Sequence, residues 1–343
     1  MFSYLFYRKG FIVEKEVKEV NVEELKEFIK KERTISQIQK TFDISEYDVM
    51  GYIYELKKQG LNIVNVRKDN DVTIINLGDR NLNNDNSYNL DVGENNSINI
   101  GVVSDTRLCS KFQQLSILND VYIKAHEEGI KHILHCGNIS EGLYSPKSPY
   151  YDSLFEYDTY QQANYIINNY PYIEGIKTYF ITGDQDNTHT KKNGYDIGLK
   201  IAAEREDLIY LGSNRCTINI KNIKILMQHP NSKIPYTISY KPQQFISSMR
   251  SEDKADILLH GHWLQAEKMP FRGVEEFSIP GLVATTPRMK DGGIQNTTGA
   301  WFLNINLTPK GKLQNIEPIF IPYYVTDKND YMKAKVLKLG GRK

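Results

Sequence analysis

Two apolar runs, Ile98–Val103 and Ile133–Leu134, each break off into a short polar set, Ser-Asp-Thr-Arg after the first and His-Cys-Gly-Asn after the second. A helix-like segment separates them. The stretch from Ile98 to Gly142 therefore predicts strand, turn, helix, strand, turn. That order commits the chain to an open α/β sheet. In such sheets ligands bind outside the carboxyl ends of the strands, which is where both polar sets stand.

Further apolar runs end in the same way. Ile176–Ile181 leads to Gly183-Asp184-Gln185-Asp186, Ile223–Met227 to His229, and Ile257–Leu259 to Gly261-His262-Trp263-Leu264. With Asp105-Thr106-Arg107 and Gly137-Asn138, these five stations resemble, in order and spacing, the motifs of the calcineurin-like metallophosphoesterases. That family reads Asp-x-His, Gly-Asp, Gly-Asn-His-Asp/Glu, a lone His and Gly-His-x-His. The segments YFITGDQDNTH, NGYDIGLKIAAEREDLIYLGS and DILLHGHWLQAEKMPFRGVEEFSIPGLVATTPRM resemble the branch that places a winged helix ahead of the phosphoesterase domain. The resemblance covers roughly Ile98 to Leu307. It implies an α/β chain, a four-layer α/β/β/α metallophosphoesterase sandwich preceded by a small winged helix-turn-helix domain.

Several stations are altered where the chemistry resides. A two-metal phosphoesterase clamps the phosphate between its ions and activates water. The first-ion positions correspond to Asp105, Arg107, Asn138 and Leu264. A guanidinium has no acceptor and leucine has no donor atom, so this ion is expected to be absent. The second-ion positions correspond to Asn138, Asp184, His229 and His262. The resemblance thus implies at most one divalent transition-metal ion (Mn, Zn or Fe) on Asp184, His229, His262 and Asn138. The alternative is that these residues only hydrogen-bond one another. Gln185 stands where the family has its catalytic His, and an amide is no general acid near neutral pH, so no catalytic residue is assigned. Arg107 is expected to pair with Asp105 and, with Gln185, to face a bound phosphate. Asp186 is read as structural, His135 and His260 as core, and His189 as a surface residue. Trp263 is read as packing, with base stacking as the alternative.

Residues 1–80 form a separate domain in this reading. A helical face over Val22–Glu32 is followed by helices opened by Thr34 with Gln37 and by Ser45 with Asp48, then by two strand-like runs. That is the order of a winged helix, which contacts DNA through its third helix or docks proteins. Acids and bases balance over 1–80, and Lys57, Lys58, Arg67 and Lys68 are the candidate nucleic-acid contacts. An Asn-rich linker spans 81–97, the phosphoesterase-like domain 98–325, and a basic tail 326–343. A length of 343 residues suits two domains with a substantial core, and a net charge of +1 neither favours nor excludes nucleic acid. Three cysteines without a CxxC pair, no signal-peptide pattern and no membrane-length apolar run predict a reducing cytoplasm and no membrane partner. Abundant Asn, Ile, Lys and Tyr fit an AT-rich genome, phage or low-GC bacterium; for a phage the compartment is the host cytoplasm.

The function expected from these residues is a non-catalytic phosphoesterase fold that binds nucleic acid or serves in a nucleic-acid-processing assembly. Two alternatives stand beside it: a slow single-metal phosphodiesterase or nuclease, and a phage assembly component. Nucleic acid and a protein docked on the winged helix are the partners considered, and the oligomeric state is left open.

Overall fold

The computed structural model describes residues 6–8, 11–13, 20–30, 33–59, 61–68, 71–79, 87–232, 237–251, 254–294 and 296–340. The chain divides into two compact units, Met1–Leu82 and Asn83–Lys343.

In the first unit β1 (Phe6–Arg8) and β2 (Phe11–Val13) pair antiparallel. Then follow α1 (Val22–Phe28), β3 (Arg33–Thr34), α2 (Ile35–Phe42), α3 (Glu46–Lys58), β4 (Leu61–Lys68) and β5 (Asp71–Asp79). Asn21 caps α1, its side-chain oxygen accepting from the Glu23 and Glu24 N–H groups. Both expected capping boxes are present. Thr34 Oγ1 accepts from Gln37 N–H at 3.1 Å while Gln37 Oε1 accepts from Thr34 N–H at 3.0 Å. Ser45 Oγ accepts from Asp48 N–H at 3.2 Å and Asp48 Oδ2 accepts from Ser45 N–H at 3.1 Å. Each cap contributes about 1 kcal/mol. Leu25, Ile38, Val49, Ile53 and Leu56 point inward from the three helices onto Ile63 and Ile74 of the β3–β5–β4 sheet.

The second unit opens with β6 (Ser87–Asn89), β7 (Ser97–Val103), α4 (Leu115–Glu127), β8 (His132–Cys136), α5 (Thr159–Asn169), β9 (Tyr172–Ile173) and β10 (Lys177–Thr182). It continues with α6 (Asn187–Asn193), α7 (Ile197–Glu204), β11 (Leu208–Ser213), β12 (Arg215–Ile220), β13 (Ile223–Gln228), α8 (Tyr240–Ser248) and β14 (Ile257–His260). It closes with β15 (Glu267–Phe271), β16 (Val274–Ser278), α9 (Pro287–Asp291), β17 (Gly299–Leu307), β18 (Leu313–Pro322), α10 (Asp330–Lys333) and β19 (Lys338–Leu339). Two six-stranded sheets result, ordered β11-β10-β8-β7-β17-β18 and β15-β16-β14-β13-β12-β6.

Alternation along each strand decides which side chains enter the core, because successive residues point to opposite faces. Leu134 and Cys136 of β8, Tyr179 and Ile181 of β10, Ile225 and Met227 of β13, and Ile257 and Leu259 of β14 meet between the sheets. The intervening residues face outward. Thr178 shares a hydrogen bond with Tyr122 of α4, and Leu226 and Leu258 pack under Ile246 of α8. The unit is therefore the α/β/β/α sandwich expected from the motifs, with helices outside both sheets.

Two boundaries differ from the expectation. The segment read as linker over 81–97 contributes β6, paired parallel to β12, and places Leu90 in the core at 6% exposure. Lone apolar residues among asparagines hid this edge strand. The segment expected as a basic tail contributes β19, paired parallel to β9, and a buried Asp330. Gln114, at the start of α4, makes no side-chain cap. Instead the Asp330 carboxylate accepts from the Leu115 N–H at 2.5 Å and from the Ser116 N–H and hydroxyl. A cap supplied from more than two hundred residues away leaves no local sequence signal.

Candidate metal centre

Every motif leaves its strand at the carboxyl end: β7 before Ser104–Arg107, β8 before Gly137-Asn138, β10 before Gly183-Asp184, β13 before His229 and β14 before Gly261-His262. β7, β8 and β10 run parallel in one sheet, and β13 and β14 in the other, so the loops of each sheet emerge on one side. The two sets meet where the His262 N–H donates to Asp105 Oδ2 at 3.1 Å. The approach is close enough to require glycine. A Cβ on Gly137, whose φ is +95°, would stand 2.4 Å from His229 Nδ1, and one on Gly183 would stand 2.4 Å from Asn138 Oδ1. The backbone is also left-handed at Asp105 (φ 50°), Arg107 (43°), Asn138 (57°), His262 (77°) and Leu264 (60°). Non-glycine residues seldom hold that conformation, and where they do it marks sites that tertiary structure over-determines.

Asp184, His229 and His262 offer three ligand atoms that all lie within 4.8 Å of one another. Asp184 Oδ1 is 3.1 Å from His229 Nε2 and 3.3 Å from His262 Nδ1. The opposite nitrogen of each ring lies on a carbonyl, His229 Nδ1 at 2.7 Å from Cys136 O and His262 Nε2 at 2.8 Å from Ser232 O. A carbonyl only accepts, so those nitrogens carry a proton; in the neutral rings the lone pairs turn toward Asp184, whereas a second proton, opposed on His229 by burial but favoured by its carboxylate neighbours, donates to that carboxylate instead. His262 Nδ1 is buried and has no hydrogen-bond partner among the described residues. Two imidazole lone pairs converging on a carboxylate, one of them otherwise orphaned, fit a divalent transition ion. The side chains of Asp184 and His262 keep 18% and 16% exposure, which leaves the centre open to solvent. Burial opposes ionisation of Asp184, but hydrogen bonds and charge from His229 and His262 outweigh it and hold the carboxyl well below its usual range.

Asn138, expected among the ligands, turns its amide oxygen away from the cluster. Its Oδ1 accepts from the Gln185 N–H at 2.9 Å, which orients the amide unambiguously. Nδ2 therefore donates to Asp105 Oδ1 and Asp184 Oδ1, both at 2.9 Å. An NH2 group now joins two carboxylates where a bridging carboxylate would have joined two ions. Gln185 and Asp105, candidate phosphate contacts, both have partners within the site. Gln185 Nε2 is spent on Asp184 Oδ2 at 3.0 Å. Asp105 is fully buried and accepts from Ser104 Oγ, Asn138 Nδ2, Arg107 Nε and the His262 N–H. Burial raises the Asp105 pKa, yet the charges of His229, Arg107 and His262 bring it below the ordinary value.

Arg107 pairs with Asp105, Nε to Oδ1 at 3.3 Å, with its side chain 7% exposed. Its Nη1 lies 3.8 Å from Glu141 Oε1, too far for a hydrogen bond. Leu264 packs with Val283 and Met289. A fixed guanidinium and an apolar side chain therefore occupy the first-ion positions. Glu141, which sequence reading passed over, is 1% exposed. Its Oε1 accepts from the Tyr144 hydroxyl at 2.5 Å, and its Oε2 has no partner among the described residues. The only signal was an acid in the loop that follows Gly137-Asn138.

The remaining expectations divide. Asp186 is structural, accepting from the N–H groups of Ile139, Ser140 and Gly183. His135 bonds Thr106, and His260 lies between Glu276 and Gln228, all of them away from the cluster. Trp263 is 2% exposed, its ring 4.9 Å from that of His260, so it offers no face to a base. His189 is not on the surface but fully buried, between Thr159 Oγ1 and Ser140 Oγ. Burial, with Lys192 adding to it, lowers its pKa from 6.5 to about 3. The folded state then binds fewer protons than the unfolded state between these values. Its stabilising contribution is complete above about pH 6.5 and is lost as pH falls toward 3. Unfolding free energies from urea titrations should fall by about 1.4 kcal/mol per pH unit as pH is lowered across that range, and His189→Gln should flatten the profile. An unchanged profile would contradict the buried neutral assignment. The side chains of Lys57, Lys58, Arg67 and Lys68 lie outside the described residues. Cys109, Cys136 and Cys216 are buried free thiols, and among the described residues no helix is long and apolar enough to cross a membrane.

No protein-family model and no curated protein matches the sequence. Solved structures do. A novel archaeal phosphodiesterase matches with 13% identity and a TM-score of 0.37, over 65% of this chain and 100% of its own. Vacuolar protein sorting 29 of Cryptosporidium parvum matches with 15% identity and a TM-score of 0.36, over 67% of this chain and 100% of its own. Vps29 of Entamoeba histolytica, solved with zinc, matches with 16% identity and a TM-score of 0.31, over 65% of this chain and 99% of its own. At such identities and TM-scores the likenesses carry no weight for substrate, metal or partner. The second unit is in its own right a two-sheet α/β/β/α sandwich.

Proposed function

We propose that this chain is a phosphoesterase fold turned to binding. It holds one divalent transition ion (Mn, Zn or Fe) on Asp184, His229 and His262, and it receives a phosphate group beside that ion. Its N-terminal unit, read as a winged helix, engages nucleic acid or a protein of a nucleic-acid-processing assembly. The observation that carries the non-catalytic reading is the Arg107–Asp105 pair at 3.3 Å, with Leu264 packed into an apolar cluster, in the positions of the first ion.

When bound, the ion would supply positive charge to draw and polarise a phosphate oxygen. The chain's own residues do the rest. Cys136 and Ser232 carbonyls hold the imidazoles in the ligating tautomer, while Asn138 and Gln185 amides steady the Asp184 carboxylate. Arg107 neutralises Asp105, whose burial unpaired would be costly. No side chain at the centre is placed to protonate a leaving oxygen, since Gln185 is an amide.

The test is hydrolysis by the full chain of bis-p-nitrophenyl phosphate and single-stranded DNA in the presence of Mn²⁺. Turnover is expected to stay at background. Robust cleavage that disappears in Asp184→Ala or His229→Ala would replace this reading with a single-metal phosphodiesterase. Association with nucleic acid, if the N-terminal unit is used that way, should weaken steeply with salt because phosphate contacts release counterions.

A further inference from the structure

Arg107 and Glu141 are left incomplete in complementary ways. The Arg107 guanidinium is nearly buried and uses only Nε in a hydrogen bond, to Asp105, so the N–H groups on Nη1 and Nη2 have no acceptor among the described residues. Nη1 is only in Coulomb range of Glu141, at 3.8 Å. Glu141 is 1% exposed and tethered through Oε1 alone, to Tyr144, while Oε2 meets no donor. An unmet polar atom in a protein interior costs on the order of 1–3 kcal/mol, more when charged; that cost falls on Glu141 Oε2, while the Arg107 Nη groups are not closed off from solvent and stand open to an incoming acceptor. One side therefore lacks an acceptor and the other lacks a donor.

A single ligand group that both accepts and donates would complete both. From this juxtaposition we infer that Arg107 and Glu141 form an oxyanion subsite selective for a phosphate that carries a P–OH, inorganic phosphate or the monoanion of a terminal phosphomonoester, and not for a phosphodiester or sulfate. The inference rests on the phosphate-binding reading above and names its ligand class. The P–O⁻ oxygens accept from the Arg107 fork, whose planar donors suit them. The P–OH donates to Glu141 Oε2. A diester and a sulfate dianion have no hydroxyl hydrogen to give, and each would set an acceptor against the carboxylate. Tethered at one oxygen, the Glu141 carboxylate can turn the other toward an incoming hydroxyl. Asn138 Nδ2 joins Asp105, the partner of Arg107, to Asp184 at 2.9 Å each, which puts the subsite next to the candidate metal centre.

The experiment is isothermal titration of the full chain, stripped of metal by chelator, with inorganic phosphate, sulfate and dimethyl phosphate at neutral pH. Phosphate should bind, with sulfate and dimethyl phosphate at least about tenfold weaker, the size expected for one hydrogen bond to a charged group. Arg107→Lys keeps the charge on Asp105 but loses the fork, and should weaken phosphate about tenfold or more. Glu141→Gln keeps an acceptor for Tyr144 but presents an N–H in place of the lone pairs. It should erase the preference for phosphate over sulfate. Thermal melts of both variants establish that they fold. Equal affinity for phosphate and sulfate, no phosphate binding by the metal-free chain, or an unchanged affinity in a folded Arg107→Lys protein would each overturn the subsite. Metal stoichiometry and hydrolysis, measured separately, report on the wider functional reading, so failure of one is distinguishable from failure of the other.

Discussion

Elemental analysis of the full chain, purified without chelator, is expected to find one transition-metal ion per chain. His229→Ala and His262→Ala should each lower its affinity by more than about 100-fold, since loss of mere outer-shell partners already costs 10- to 100-fold. The expectation rests on hydrogen-bond accounting. Each neutral imidazole spends its proton on a backbone carbonyl and leaves a lone pair beside Asp184, where an ion would take the place of a second proton on the ring. Metal bound at a concentration 100 times its Kd would stabilise the fold by about 2.7 kcal/mol, so chelation should lower the melting temperature by about 5 to 10 °C. Asn138→Ala should retain the ion, because its amide NH2, not its oxygen, faces the cluster. Two ions per chain, or none in protein loaded with excess Zn²⁺ or Mn²⁺, would refute the one-ion centre.

The second large effect is expected from reversing the substitutions. The combination Arg107→His, Asn138→Asp, Gln185→His and Leu264→His should bring a second ion and measurable phosphodiester hydrolysis. The backbone supports this, since Arg107, Asn138 and Leu264 are held in the left-handed region at φ 43°, 57° and 60°. A replacement side chain would start from a fixed position set by the surrounding loops rather than from a mobile one. Asp at 138 would face Asp105 and Asp184, from which the present amide is 2.9 Å away. Three carboxylates so close repel one another unless cations lie between them. The variant should therefore melt lower in chelator than the parent and recover with Mn²⁺ or Zn²⁺. A restored general acid is worth about 10²- to 10⁴-fold in rate, and the second ion adds electrostatic stabilisation. Gln185→His alone should give no hydrolysis, because the first-ion positions remain filled. A folded quadruple variant that still holds one ion would show that more than these four side chains separates the chain from a two-metal enzyme.

The residues by themselves determined the order of strands and the carboxyl-end position of the motif loops, and they set the expectation that a first ion is missing. These are local properties. Apolar alternation decides a strand, a Thr or Ser three residues before a partner closes a capping box, and leucine lacks a donor atom wherever it stands. The same locality kept Asp184, His229 and His262 recognisable from their place after apolar runs. Tertiary structure alone decided how polar groups are aimed. Asn138 is a donor to two carboxylates because a backbone N–H forty-seven positions away claims its oxygen. His189 is interior, although its neighbours in sequence, Thr188 and Thr190, are polar. Glu141 sits against Arg107, and Asp330 caps a helix that begins 215 residues earlier. In each case the deciding partner is remote in the chain, and a hydrogen bond depends on angle and distance that no spacing along the sequence encodes.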